Sequence, residues 1–171
     1  MGIAAISLST GNHEWYTPPE ILESARKVLG VIDLDPASSE LANEFVRAKK
    51  YYSVKENGLK QDWFGRVWLN PPFNAGLIDA FADKLLRSVK VESAIMLTDN
   101  ATDAKWFRRM VEGCAGLIFT TSRLNFINSA KLVRGEKTAR GRHLRGSAFF
   151  YIGTEVENFH AEFCQYGWQC K

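Results

Sequence analysis

Histidine, cysteine and long apolar runs are scarce in this 171-residue sequence. Its three cysteines, Cys114, Cys164 and Cys170, are widely spaced and form no C-x-x-C or Cys/His cluster. That spacing excludes a disulfide framework and a structural zinc site, and because the three histidines are equally scattered we expect no metal centre. No apolar run reaches membrane-spanning length, and no basic segment followed by an apolar one opens the sequence. We therefore expect a cytoplasmic protein.

Net charge is also small, at +3, but the basic residues are unevenly distributed. Residues 131 to 145 contain a single acid, Glu136. The six basic residues of the same stretch are Lys131, Arg134, Lys137, Arg140, Arg142 and Arg145. A basic stretch on a nearly neutral body favours a polyanionic partner.

Apolar segments that alternate with amphipathic ones predict an α/β protein. Residues 1–13 are predicted to be a flexible N-terminus, and 14–171 a single domain. Strands are predicted at 31–37, 66–70, 93–99, 116–121 and in GSAFFYIG, and helices at 20–29, 38–49, 76–89, 102–114 and 156–166. This alternation indicates βαβ units, and so a mostly parallel sheet with helices on both faces. The five tryptophans are expected mostly in the core.

In the stretch RVWLNPPFN, residues 66–74, a predicted strand is followed by a candidate catalytic segment. Proline has no N–H, so the strand must end at Pro71. In a doubly wound sheet, ligands bind outside the carboxyl ends of the strands. There the Asn70 side-chain oxygen and the Pro71 carbonyl, held rigid by Pro72, can accept both hydrogens of an amino group, while Phe73 stacks on its ring. Two such acceptors stabilise the positive charge that develops when the nitrogen attacks an electrophile.

The segment NPPF resembles the catalytic motif of S-adenosylmethionine-dependent amino methyltransferases, which modify adenine N6 or cytosine N4. The wider string EWYTPPEI…IDLDPASSELAN…YYSVKENGLKQDWFGRVWLNPPF resembles the small phage-associated DNA N6-adenine methyltransferases of the Dam family, over most of the chain. The resemblance implies a Rossmann-like methyltransferase fold, S-adenosyl-L-methionine as cofactor and double-stranded DNA as partner. It also implies a phage origin, action in the host cytoplasm and a role in evading host restriction. We expect a monomer or weak dimer.

The resemblance also implies roles for particular residues. YTPPEI corresponds to the contact with the cofactor's methionine part, DLDPAS to its amino group and QDW to its adenine. The implied cofactor-binding residues are Thr17, Pro18, Asp33, Asp35, Asp62 and Trp63. The catalytic residues that receive the target base are Asn70, Pro71, Pro72 and Phe73.

DNA contact is expected beyond the catalytic motif, in a basic insertion at about 123–146. Its Lys and Arg side chains would neutralise phosphates, and nearby Arg and Asn side chains would read bases. The implied DNA-binding residues are Arg123, Asn125, Lys131, Arg134, Lys137, Arg140, Arg142 and Arg145, with Asn128 as a further base reader. The adenine amino group is paired and stacked in duplex DNA, so the target base must flip out.

Two departures from the family pattern keep alternatives open. Ser38, Ser39 and Glu40 stand where a Gly-rich turn is expected near the cofactor, and only Glu56 offers itself as a ribose-binding acid. One alternative keeps the enzyme class and changes the acceptor to cytosine N4, RNA adenine or a protein glutamine amide. The other is a DNA-binding module in which the methyltransferase fold is inactive.

Overall fold

The computed structural model describes residues 15–128, 140–142 and 145–170. Its strands are β1 (Trp15–Tyr16), β2 (Leu34–Asp35), β3 (Lys50–Tyr51), β4 (Gly65–Leu69), β5 (Val91–Asp99), β6 (Gly116–Thr120), β7 (Asn125–Asn128), β8 (Arg140–Arg142), β9 (Ser147–Ile152) and β10 (Gly167–Gln169). Its helices are α1 (Pro19–Leu29), α2 (Glu40–Val46), α3 (Ala75–Arg87), α4 (Lys105–Gly113) and α5 (Val156–Phe163), with a short 3-10 turn at Gly58–Lys60. The N-terminus predicted to be flexible lies outside the described residues.

Seven strands form one sheet in the order β3-β2-β4-β5-β9-β6-β10. Strands β3, β2, β4 and β5 are parallel neighbours, whereas β9 lies antiparallel between β5 and β6, and β10 is antiparallel to β6. Five of these seven strands therefore share one direction. The predicted α/β class with a mostly parallel sheet is confirmed, and the last third of the chain supplies the two reversed strands.

Side chains of the central strands alternate between two hydrophobic cores, one on each face of the sheet. Trp68 and Ile95 pack with residues of α1, α2 and α5 in the first core. Val67, Leu69 and Met96 pack with residues of α3 and α4 in the second. Alternation of neighbouring residues is what a strand buried on both faces requires, and it confirms helices on both sides of the sheet.

The strand predicted at 31–37 shortens to the two residues of β2. Pro36 has no N–H to donate to a neighbouring strand, and the Ala37 N–H is taken by the Asp35 carboxyl oxygen at 3.1 Å. The chain therefore turns immediately after Asp35.

The helix predicted at 38–49 is α2, which starts and ends inside those limits. The Ser cap is Ser39, whose hydroxyl accepts the Ala42 N–H at 3.2 Å. Arg47, in the left-handed conformation with φ of 53°, ends the helix. These capping contacts set the two boundaries.

A second, three-stranded sheet in the order β1-β7-β8 was not predicted. Trp15 pairs with Asn128 and Tyr16 with Ile127, and the other edge of β7 pairs with β8. This small sheet joins the start of the described chain to both arms of the basic insertion. Residues 129–139 of that insertion, with Lys131, Arg134 and Lys137, lie outside the described residues. Over the described ranges, no helix is long and apolar enough to cross a membrane.

Candidate active site

The carboxyl ends of β2 and β4 open into a cavity of about 570 Å³. That volume lies within the range of about 300–1,000 Å³ that is typical of small-ligand sites. Thr17, Asp35 and the segment from Asn70 to Phe73 all line it. The structure therefore brings the predicted catalytic motif and two of the predicted cofactor motifs together around one space.

The catalytic motif forms the link between β4 and α3. The strand ends at Leu69, and α3 begins after Asn74, whose side-chain oxygen accepts the Gly76 N–H at 3.3 Å. Pro71 is buried, whereas Phe73 is half-buried in the cavity wall. The predicted end of the strand at the two prolines is confirmed, and a helix cap fixes the far side of the loop.

The Asn70 side chain is held by Thr17, another residue of the cavity wall. The side-chain nitrogen of Asn70 donates a hydrogen bond to the Thr17 hydroxyl oxygen at 3.2 Å. Thr17 is 3% exposed and lies between β1 and α1, followed directly by Pro18. A residue before proline has a restricted backbone, and this restriction limits the movement of the Thr17 hydroxyl.

Asp35 is buried in the cavity wall and is the only acidic or basic residue among the described residues that line it. Burial raises the pKa of its carboxyl to about 7, although the hydrogen bond from the Ala37 N–H opposes the rise. A cationic ligand in the cavity would favour the ionised carboxylate. The site is thus suited to a ligand that carries positive charge.

The turn after Asp35 needs no glycine, since no residue from Pro36 to Glu40 has a positive φ. A close backbone approach to this turn comes instead from Gly58, another residue of the cavity wall. A Cβ atom at Gly58 would lie 1.9 Å from the Pro36 carbonyl oxygen. Sequence reasoning looked for glycine in the first turn and missed this one, although the glycine in the polar loop ENGLK was its available signal.

Four predicted cofactor residues do not line the cavity, and the first of them is Pro18, which follows Thr17 directly. Asp33 lies before β2, and although burial opposes the shift, hydrogen bonds from Lys49 and Arg66 lower its pKa to about 2. Asp62 is exposed and is bound by Lys90 at 2.9 Å. Trp63 is buried and contacts the cavity wall indirectly. Its indole N–H donates to the Gly58 carbonyl at 2.8 Å, and Gly58 lines the cavity.

The candidate ribose acid also lies outside the cavity wall. The backbone N–H and the hydroxyl of Ser53 both donate to the Glu56 carboxylate, and these bonds lower its pKa. Ser53 and Asn57 line the cavity instead. At this edge the described wall therefore offers neutral polar groups rather than a carboxylate.

The predicted DNA-binding residues divide by location. Arg123 and Asn125 are exposed next to and in β7, and Arg140 and Arg142 lie in β8. Arg145 is exposed and donates to the buried Asp99 carboxylate at 3.2 Å. Asp99 stands at the carboxyl end of β5 and so ties the end of the insertion to the sheet.

Aromatic residues complete the cavity wall. Trp15 and Phe126 come from the small sheet, and Trp15, which was expected in the core, is 37% exposed. Trp68 is fully buried, and its indole N–H has no acceptor within the described part of the chain. Buried donors are normally paired, so a polar ligand fits this wall. Together with the Asp35 carboxyl and the cavity volume, this fits a nucleoside-bearing cation such as S-adenosylmethionine.

A doubly wound sheet that places a buried carboxyl and an Asn-Pro-Pro-Phe segment on one cavity defines an α/β methyltransferase fold of the S-adenosylmethionine-dependent class. The family model described as DNA N-6-adenine-methyltransferase (Dam) matches residues 7–147. The chain therefore belongs to the Dam family of adenine N6 methyltransferases.

Among curated proteins, none is matched by this sequence. Among solved structures, the chain is similar to the 23S rRNA methyltransferase ErmE, with 13% identity, a TM-score of 0.47, and coverage of 81% of this chain and 68% of that one. The fold class given above follows from the strand order rather than from this match.

Proposed function

We propose that this protein transfers the methyl group of S-adenosylmethionine to N6 of adenine in double-stranded DNA. The observation that carries the proposal is the shared cavity, which brings the Asn70 to Phe73 segment to the buried Asp35 carboxyl. Family membership supports adenine as the acceptor. The basic stretch at 131–145, of which Arg140 and Arg142 lie in β8, supports a nucleic acid as its carrier.

Each part of the cavity wall has a task in this proposal. Asp35 would hold the positively charged amino group of the cofactor. When bound, the cofactor supplies an electrophilic methyl group. The Asn70 side-chain oxygen and the Pro71 carbonyl accept the two hydrogens of the adenine amino group. As the nitrogen forms its bond to the methyl carbon and the carbon–sulfur bond breaks, with S-adenosylhomocysteine as the leaving group, these acceptors stabilise the positive charge on nitrogen. The surplus proton leaves to water. Because the reaction needs mainly alignment, no side-chain base is required.

The target adenine reaches the cavity by flipping out of the duplex. Phe73, half-buried in the wall, gives the flipped ring a surface on which to stack. Basic residues of the insertion neutralise phosphates and hold the duplex over the opening. The glycine-free turn at 36–40 has an ordinary backbone, so it no longer motivates an inactive DNA-binding module.

The direct test is transfer of tritium from labelled S-adenosylmethionine to unmodified plasmid DNA, followed by hydrolysis and identification of the labelled nucleoside. Label in N6-methyladenine is the expected result. Label in N4-methylcytosine would keep the site and change the base, and label only in RNA would change the carrier. Absence of label in every acceptor, with the folded protein shown to bind the cofactor, would overturn the proposal.

The Phe73→Ala variant should weaken the hold on the flipped base. Loss of one stacked ring is expected to weaken binding of the flipped base by about 1–3 kcal/mol, which raises the KM for DNA. The KM for S-adenosylmethionine should stay within twofold. Steady-state kinetics with a duplex oligonucleotide measure both. Phe64→Ala is the matched control, because Phe64 is 40% exposed and lies outside the cavity wall. Equal KM values for the two variants would contradict the stacking role of Phe73.

The double variant Arg140→Gln/Arg142→Gln should lower DNA affinity most at low salt. Each lost phosphate contact reduces the slope of log K against log salt by about 0.9, so the pair should reduce it by roughly 1.8. Fluorescence anisotropy from 50 to 200 mM salt measures the slope. Arg87→Gln/Arg108→Gln removes the same charge from α3 and α4, where both side chains are exposed. If both double variants gave the same slope, β8 would not contact phosphates.

A further inference from the structure

We propose that Thr17 is a positioning residue for catalysis, which turns the Asn70 amide so that its oxygen faces the substrate amino group. This inference rests on the function proposed above and adds a residue that acts through Asn70. The resemblance had assigned Thr17 to the cofactor's methionine part. The structure places Thr17 in the cavity wall and also shows its contact with the Asn70 side chain.

The argument begins with the two ends of the Asn70 side chain. A primary amide has an oxygen that accepts hydrogen bonds and a nitrogen that donates them. Only the oxygen can accept a hydrogen from the adenine amino group. If the amide nitrogen took its place, the N–H donors of Asn70 would face the N–H donors of adenine. With the Asn70 nitrogen bound to the Thr17 oxygen at 3.2 Å, the amide oxygen is the end left for the cavity.

The surroundings of Thr17 keep this bond in place. Thr17 is 3% exposed, so water does not readily replace its hydroxyl. Thr17 is held from both sides, by β1, which pairs with β7, and by α1, which begins at Pro19. In the arrangement that the structure shows, the hydroxyl accepts from the Asn70 nitrogen and so holds the amide with its oxygen away from Thr17. Reactive geometry of this kind loses much of its rate when a supporting contact is lost.

The primary test is the variant Thr17→Val, which keeps the side-chain shape and removes the hydroxyl. We expect kcat for methyl transfer to fall by about 10- to 100-fold. The KM for S-adenosylmethionine should stay within threefold, and Thr17→Ser, which restores the hydroxyl, should recover most of the rate. Thermal melting identifies any variant that has failed to fold.

A second arm uses Asn70→Asp, whose carboxylate has two equivalent oxygens and no donor end. In that background orientation no longer matters, so adding Thr17→Val should change kcat by less than threefold. A residue that touched the cofactor would instead raise the KM for S-adenosylmethionine in both backgrounds. The double-mutant comparison therefore separates the two roles.

Three results would overturn the inference: an unchanged kcat in Thr17→Val, a change confined to the KM for S-adenosylmethionine, or no recovery in Thr17→Ser. Because the amide geometry is the same for any amino acceptor, the test is equally valid if wild type methylates cytosine. A folded wild-type protein that methylates no acceptor overturns the proposed function and this inference together. An active wild type that tolerates Thr17→Val overturns this inference alone.

Discussion

Asn70→Ala is expected to lose methyl transfer almost completely, with kcat reduced by about 1,000-fold or more. The variant removes one of two acceptors that stabilise charge on the reacting nitrogen, and single groups of this kind contribute about 100- to 1,000-fold. It also removes the hydrogen-bond partner of the Thr17 hydroxyl, so the loop from Asn70 to Phe73 loses that contact. Single-turnover kinetics with labelled cofactor measure the chemical step directly.

Two controls sharpen this prediction. Asn70→Asp keeps an acceptor oxygen and should retain measurable activity. Asn158→Ala removes an exposed asparagine of α5, outside the cavity wall, and should leave kcat unchanged. Calorimetry should show that Asn70→Ala binds S-adenosylmethionine as wild type does. A variant that kept a tenth or more of the wild-type rate would remove Asn70 from the chemistry.

Asp35→Asn is expected to weaken cofactor binding and to stabilise the ligand-free protein at the same time. Removing one partner of a buried charge pair costs about 2–5 kcal/mol, which corresponds to a dissociation constant at least about 30-fold higher. The exposed Asp62 provides the matched control, because Asp62→Asn makes the same chemical change outside the cavity wall. Equal losses of affinity in the two variants would remove Asp35 from the cofactor site.

The pH dependence of binding follows from the pKa of about 7 that burial gives Asp35. Below that pH the carboxyl must release its proton before it can pair with a cation. The affinity of wild type should therefore fall as the pH drops from 8 to 6, and its advantage over Asp35→Asn should shrink over the same interval. Calorimetric titrations at both pH values give this ratio.

Stability should change in the opposite sense. The folded protein holds the Asp35 proton more tightly than the unfolded chain, so the buried carboxyl increasingly lowers the free energy of unfolding as the pH rises from about 4 to 7. Asp35→Asn removes that penalty, with a net gain of about 1–3 kcal/mol at pH 8 after the amide's own burial is counted. Urea denaturation of the ligand-free protein should show a smaller gain at pH 5.

Local chemistry made part of the site predictable. Pro71 ends β4 whatever surrounds it, because its ring and missing N–H act on its own backbone. The strand predicted at 31–37 was placed correctly, although it ends at Asp35, two residues earlier than predicted. The fold class followed from hydrophobic periodicity, which records the environment of each segment. These signals are read within a few residues, and there the sequence was informative.

Contacts made across the fold could not be predicted in the same way. Asp33 and Asp35 differ by two positions, about 7 Å along an extended chain, yet one meets Lys49 and Arg66 while the other lines the cavity. Asp62 pairs with Lys90, which belongs to a distant loop. Only the packing of the helices and strands determines which of these acids lines the cavity. A sequence motif does not distinguish them.

The pairing of β1 with β7 bears on how the protein is made. Trp15 pairs with Asn128, which is 113 residues further along the chain. Such distant pairs form slowly because a long loop must close first. The central strand β9 is synthesised later still. On the ribosome, α1 and α2 thus emerge well before the strands that complete the sheet and the cavity wall. A nascent chain therefore carries the segment from Asn70 to Phe73 well before the cavity around that segment is complete.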